Sequence, residues 1–175
     1  MASIIKVDTI QTAAGGTPSL SDLGIATTGT GKVLQIVRAT TTSSANNTTT
    51  TYADSNLSAS ITPSSTSSKI LITVDQTVYT YRQTNDTHGC NIRLLRGTTN
   101  VYENERAAMM NAGTANNGYI ELYIVLNFSH LDSPSTTSEI TYKTQFKCFA
   151  AGNNARVDVQ PGNRPSGMTL IEIAG

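Results

Sequence analysis

Three groups of residues have types and spacing that could do chemistry. The first is Gly29-Thr30-Gly31-Lys32, glycines ending in a lysine, which suggests a phosphate cradle. A phosphate loop needs G-x-x-x-x-G-K-[ST] between a strand and a helix, because helix-end amides hold the phosphates and the hydroxyl meets magnesium. Here Ala26 stands at the first glycine position, Val33 follows Lys32, and an alternating apolar run begins at once. The stretch reads as a joint ahead of a strand. The second group is His88-Gly89-Cys90 with His130 and Cys148, a possible zinc set or Cys–His nucleophile. Structural zinc wants two closely spaced ligand pairs, and a nucleophile wants an adjacent base oriented by a third group. Only one close pair exists. His88 lies in the polar stretch QTNDTHGC and His130 just before LDSPS, so both read as surface histidines, and both cysteines as thiols filling strand positions. The third group is Glu103-x-Glu105, which has strand spacing on one face. A glycosidase needs two carboxylates held across a bond, but the same spacing is common on solvated strands. No catalytic, cofactor-binding or metal-ligating residue is assigned.

The elements that would position these residues are strands. Period-two alternation runs through KVLQIVRAT, YADSNLSASITP, KILITVDQTVYTY, GYIELYIVLNFSHL, SEITYKTQFKCFA, RVDVQP and MTLIEIAG. It places Leu57, Ala59 and Ile61 on one face of the second run and Ile70, Ile72, Val74 and Val78 on one face of the third. Ile140, Tyr142, Phe146 and Cys148 share a face of the fifth. NIRLLRGTTNVYENER reads as a hairpin turning at Arg96–Asn100, and ENERAAMMNAGTANN as strand end plus loop. Eight or nine strands in one domain predict an all-β antiparallel β-sandwich, jelly-roll-like, over residues 32–175. Tyr79, Tyr81, Tyr119 and Tyr123 fall opposite the aliphatic rows. That face suits cross-strand packing, sugar stacking or a neighbouring subunit.

Composition agrees. Charged residues make up 14% of the chain and net charge is zero, so no basic excess exists to bind nucleic acid or an anionic membrane. Ser and Thr together are about a quarter of the residues, and polarity is hydroxyl-rich rather than ionic. Two cysteines far apart imply no disulfide framework. No apolar run approaches the roughly 20 residues of a membrane helix, and the N-terminus lacks the form of a secretory signal. Residues 1–31 differ from the rest: Ile4, Ile5, Val7 and Ile10 precede a Gly-Gly and a Pro, too little to fold alone. They are expected to form an extended anchor or assembly segment packed on a partner chain.

Three stretches carry a family resemblance. MASIIKVDTIQTAAGGTPSLSDLGI resembles the N-terminal segment of virion appendage proteins of tailed bacteriophages, particularly marine ones. GKVLQ followed by ITPSSTSSKIL, and the closing GMTLIEIAG, are similar to a recurrent β-domain of the same tail-fibre-like proteins. Residues of about 82–118 and 129–138 match nothing in that pattern, and variable loops are expected there. The resemblance implies a non-enzymatic homotrimeric virion component without cofactors. It would be fixed to other virion proteins through residues 1–31, with the sandwich turned outward, in some relatives toward a host surface glycan. The chain is short for a full fibre. A capsid decoration protein on the head and a soluble carbohydrate-binding sandwich module remain open alternatives.

Overall fold

The computed structural model describes residues 31–83, 86–110 and 118–175. Residues 1–30, where Ile4, Ile5, Val7 and Ile10 lie, fall outside them. Gly31–Gly175 form a compact unit. Its strands are β1 (Val33–Thr41), β2 (Ala45–Asn47), β3 (Ala53–Ile61), β4 (Lys69–Arg82), β5 (His88–Arg96), β6 (Thr99–Met110), β7 (Ile120–Asp132), β8 (Ile140–Cys148), β9 (Arg156–Val159) and β10 (Ser166–Ile173).

All pairings are antiparallel. One sheet is built on β4. Its β7 edge runs the full length of β4, while β10 and β9 line the other edge end to end. Beyond β10 and β9 lie β1 and β2. The second sheet runs β3-β8-β5-β6. Counting β1 with β2, and β9 with β10, as single interrupted strands leaves eight. The sheets then read first–eighth–third–sixth and second–seventh–fourth–fifth, the strand order of a jelly roll made of two Greek keys.

The interruption between β9 and β10 is a 3-10 turn at Pro161–Asn163, where Gln160 and Gly162 take left-handed backbone angles. The β5–β6 hairpin turns through two residues between Arg96 and Thr99, with Gly97 at φ 58, a conformation glycine adopts at no steric cost.

The alternation gives the core as expected. Leu57, Ile61, Ile70, Ile72, Leu94, Tyr142, Met168 and Leu170 form one buried cluster, and Val78, Cys90, Ile92, Phe146, Cys148, Val157 and Val159 a second. The two are divided by an unexpected polar layer. Gln76 on β4 and Thr144 on β8 are fully buried, and Thr144 Oγ1 donates to Gln76 Oε1 at 2.8 Å. The Gln160 amide completes the layer in the orientation that satisfies its neighbours: its oxygen accepts from Gln76 Nε2 and Ser166 Oγ, and its nitrogen donates to the carbonyls of Ser43 and Ser55. Buried amides persist because each donor and acceptor is matched.

One strand lies where no alternation marks it, and two expectations are corrected. The Ser/Thr/Asn tract after β1 contains β2, whose Asn47 is buried and donates from Nδ2 to Phe146 O and Thr51 O. The hairpin read in NIRLLRGTTNVYENER is present as β5 and β6, so the variable loops expected over residues of about 82–118 do not extend through 88–110, and β5 is a core strand. His88 is not a surface residue but fully buried at the start of β5.

Candidate functional site

The residues with chemical potential are taken up by structure. Lys32 is followed directly by β1, and Gly31 N donates to Ala174 O, so no helix end exists there to cradle a phosphate. Burial lowers the pKa of His88 and keeps the ring neutral, with Nε2 against Arg156 O at 3.3 Å. His130 lies within β7, half-buried against the Tyr102 ring. Among the described residues no three His, Cys, Asp or Glu side chains come together as a metal site.

Cys90 and Cys148, 58 positions apart in sequence, face each other directly across β5 and β8 as buried free thiols. The neighbouring pair, Phe149 N to Gly89 O at 2.9 Å, is hydrogen-bonded, so the cysteines occupy the close, non-hydrogen-bonded position. Burial raises both thiol pKa values, that of Cys148 to about 11, and removes their nucleophilic form near neutral pH. Glu103 accepts from Tyr52 OH at 2.6 Å and from Asn100 Nδ2 at 2.8 Å. The Tyr52 bond in particular lowers its pKa, so it is held as a carboxylate rather than poised as an acid.

Glu172, by contrast, organises one end of the sandwich. It points inward from β10 and is fully buried. Its Oε1 accepts from Ser64 N and Ser64 Oγ at 2.7 and 2.6 Å, and its Oε2 from Gln35 Nε2 at 2.6 Å. Gln35 also donates to Thr62 O. GKVLQ, ITPSSTSSKIL and GMTLIEIAG thus converge on one carboxylate. Burial alone would raise its pKa, but the donors from Ser64 and Gln35 outweigh it and hold it near 2, against an ordinary 4.5. A carboxyl with a depressed folded pKa stabilises the fold fully above its unfolded value and loses that contribution as pH falls. The melting temperature should therefore drop between pH 4.5 and 2, and Glu172→Gln should flatten that limb while costing about 1–3 kcal/mol at pH 7. Melting curves across that range check both; identical acid limbs in the two proteins would remove Glu172 from the account.

The outer face of the β4 sheet is banded. Near the chain entry at Gly31, one row crosses four strands: Ile36 on β1 pairs Ile171 on β10, which pairs Leu71 on β4, which pairs Leu131 on β7. Ile36 is 63% and Leu131 50% exposed. The next rows are polar, with the Arg38–Asp75 ion pair lying over Gly167 at a spot where a Cβ would meet the guanidinium. Eight residues further along β4, roughly 26 Å at about 3.3 Å per residue, comes a tyrosine band. Tyr79 pairs with Tyr123 in register, their ring centroids 4.4 Å apart. Tyr81 stacks with Tyr79 at 6.5 Å and meets Tyr119 at 5.8 Å. Tyr79 is buried, with its hydroxyl donating to Glu121 Oε2 at 3.0 Å; burial, then that bond, raises its pKa to about 12. Tyr119 and Tyr123 remain more than half exposed. Arg164 lies over Tyr123 at 4.8 Å and Arg156 over Tyr79 at 5.5 Å. The sequence placed all four tyrosines on this face; the cluster they form comes from the β4–β7 register, Arg156 from β9 and Arg164 from the position after the 3-10 turn, none of which sequence displays.

No family model matches the chain, and no curated protein matches it. Among solved structures, one of infectious bursal disease virus (Gx strain) has a TM-score of 0.36 and 16% identity over 82% of this chain and 39% of that one. T=1 particles derived from the same virus give a TM-score of 0.36 and 15% identity over 81% of this chain and 37% of that one. The chain therefore spans about two-fifths of the length of the solved chains it matches, at scores too low to carry an argument about function.

Proposed function

We propose that the chain is a non-enzymatic structural protein of a virion: a tail-fibre-like appendage, homotrimeric, fixed to the particle through residues 1–31 and presenting its jelly roll outward to the host surface. The observation that carries this is the aliphatic row Ile36–Ile171–Leu71–Leu131, which runs from one edge of the β4 sheet to the other. A soluble chain with 14% charged residues that leaves such a row in water has a partner for it, and a row spanning the whole sheet suits copies of the same chain around a common axis. The number three and the virion setting come from the resemblance at both ends of the sequence. The convergence of its three domain stretches on Glu172 supports that resemblance, because the quoted residues serve one structural purpose.

Light scattering tests it. Full-length protein should have the mass of a trimer, and the double variant Ile36→Ser/Leu131→Ser should fall toward monomer with its melting temperature nearly unchanged, since exposed positions contribute within about 0.5 kcal/mol to the fold itself. A chain beginning at Lys32 that stays trimeric would place association in the jelly roll and leave residues 1–31 free for the particle. Full-length protein that is monomeric would overturn the assembly and favour an isolated binding module.

A further inference from the structure

We infer that the tyrosine end of the β4 sheet binds an acidic polysaccharide, its sugar rings stacking on Tyr119 and Tyr123 and a ring carboxylate meeting Arg164. The inference names the ligand class for the outward surface of the proposed appendage and rests on that reading for its setting, though sugar binding is measured without a particle.

Four observations carry it. The first is position. Gly31 enters at the aliphatic end, and the tyrosines lie at the other end of β4, where a domain held through its N-terminal side presents its far tip. The second is shape. Two shallow hollows flank the tyrosine cluster: one of about 180 Å³, walled by Tyr123, Arg164, Thr77 and the apolar Ile124, Val125 and Pro161, and one of about 510 Å³, with Thr48, Tyr81, Asn154 and Arg156 among its walls. Two hollows separated by an aromatic ridge suit successive residues of a chain of sugars better than one compact molecule.

The third observation is charge. Arg156 is neutralised by Asp158 at 3.1 Å. Arg164 makes no ion pair among the described residues and lies over the face of Tyr123. A planar guanidinium held against an exposed ring offers a fork that a carboxylate fits in bidentate fashion, beside a π-face that the C–H face of a sugar covers. The fourth is pre-organisation. Tyr79 is pinned by Glu121 and packed on Tyr123, so the exposed rings rest on a fixed partner and lose little freedom on binding. The walls mix apolar side chains with hydroxyl and amide groups. Among the charges at this end Arg156 pairs with Asp158, Arg82 with Asp86, and Glu121 accepts from Tyr79, while Arg164 makes no ion pair among the described residues.

The test is calorimetric titration of the full-length protein with oligogalacturonate, with the carboxyl-reduced, neutral oligomer as comparison. Oligogalacturonate should bind, weaken as salt rises, and lose at least tenfold in affinity on either Tyr123→Ala or Arg164→Gln, both exposed positions whose melting temperatures should not move. No binding at millimolar oligomer, equal binding of the reduced oligomer, or affinity unaltered by both variants would overturn the inference. Light scattering of Tyr123→Ala separates the remaining possibility: a drop in mass would make the patch a contact between copies and overturn it while leaving the assembly in place. A monomeric full-length protein that still binds the acidic oligomer would remove the trimeric appendage and keep the sugar site.

Discussion

Asp132→Ala should destabilise the jelly roll by about 3–5 kcal/mol, the range for breaking one side of a buried ion pair. Asp132 ends β7 and is buried. Its two oxygens receive Arg96 Nη1 at 2.9 and 2.8 Å, and Oδ2 also accepts from Tyr142 OH at 2.7 Å. The three residues come from β7, β5 and β8, so one carboxylate joins the two sheets near the aliphatic end. Without it the buried phenol is left with an unmatched donor, and the guanidinium, whose side chain is 28% exposed, has only partial access to water. For a domain of this size the loss corresponds to roughly 10 °C in melting temperature. The companion variant, Asp132→Leu with Arg96→Met, should recover only the share due to the orphaned charge, because the buried Tyr142 hydroxyl still lacks its acceptor; adding Tyr142→Phe should recover most of the rest. Urea titrations of these proteins decide: a single variant within about 0.5 kcal/mol of the wild type would show that Arg96 finds water instead.

Phe146→Ala should cost a similar amount, about 3–5 kcal/mol, through a different cause. Phe146 is fully buried on β8, a central strand of its sheet, within the cluster of Val78, Ile92, Cys148 and Val157. Its neighbours stand on strands whose registers are fixed by hydrogen bonds, so the space cannot close, and the penalty grows with the volume left. Phe146→Leu fills most of that space and should cost clearly less. The Ile36→Ser/Leu131→Ser protein provides the contrast: it should change association and leave stability alone, whereas Phe146→Ala does the reverse. Denaturation midpoints and solution mass measured on the same samples separate the two.

Much of the architecture was legible because more and less buried side chains alternate along β1, β3, β4, β8 and β10. Leu57, Ile70, Ile72, Tyr142 and Phe146 were placed correctly from that period, and the class followed from many short strands with turn residues between them. The misses are of two kinds: the ends of β5 and β6 beyond the hairpin, and polar residues at inward positions. His88 read as surface and nothing marked Asn47, Gln76 or Gln160 as buried, yet each is buried with its groups wholly or partly matched by partners distant in sequence. Glu172 is the sharpest case. Nothing beside it in sequence announces three donors from Gln35 and Ser64. The strand faces of Tyr79, Tyr81, Tyr119 and Tyr123 were likewise readable, but not their contact, since it depends on β4 and β7 pairing in register and joins residues 38 and 44 positions apart.

The tyrosine band also sets what the molecule looks like to light. The chain has no tryptophan and seven tyrosines, four of which sit in this one cluster. Near-ultraviolet absorption and emission therefore come largely from a single end of the jelly roll, with neighbouring rings close enough for their transitions to couple. Circular dichroism near 280 nm and intrinsic fluorescence become a label-free reporter of that end, while the other three tyrosines, Tyr52, Tyr102 and Tyr142, lie elsewhere in the fold and supply a background. The protein carries its own optical probe where a ligand would arrive.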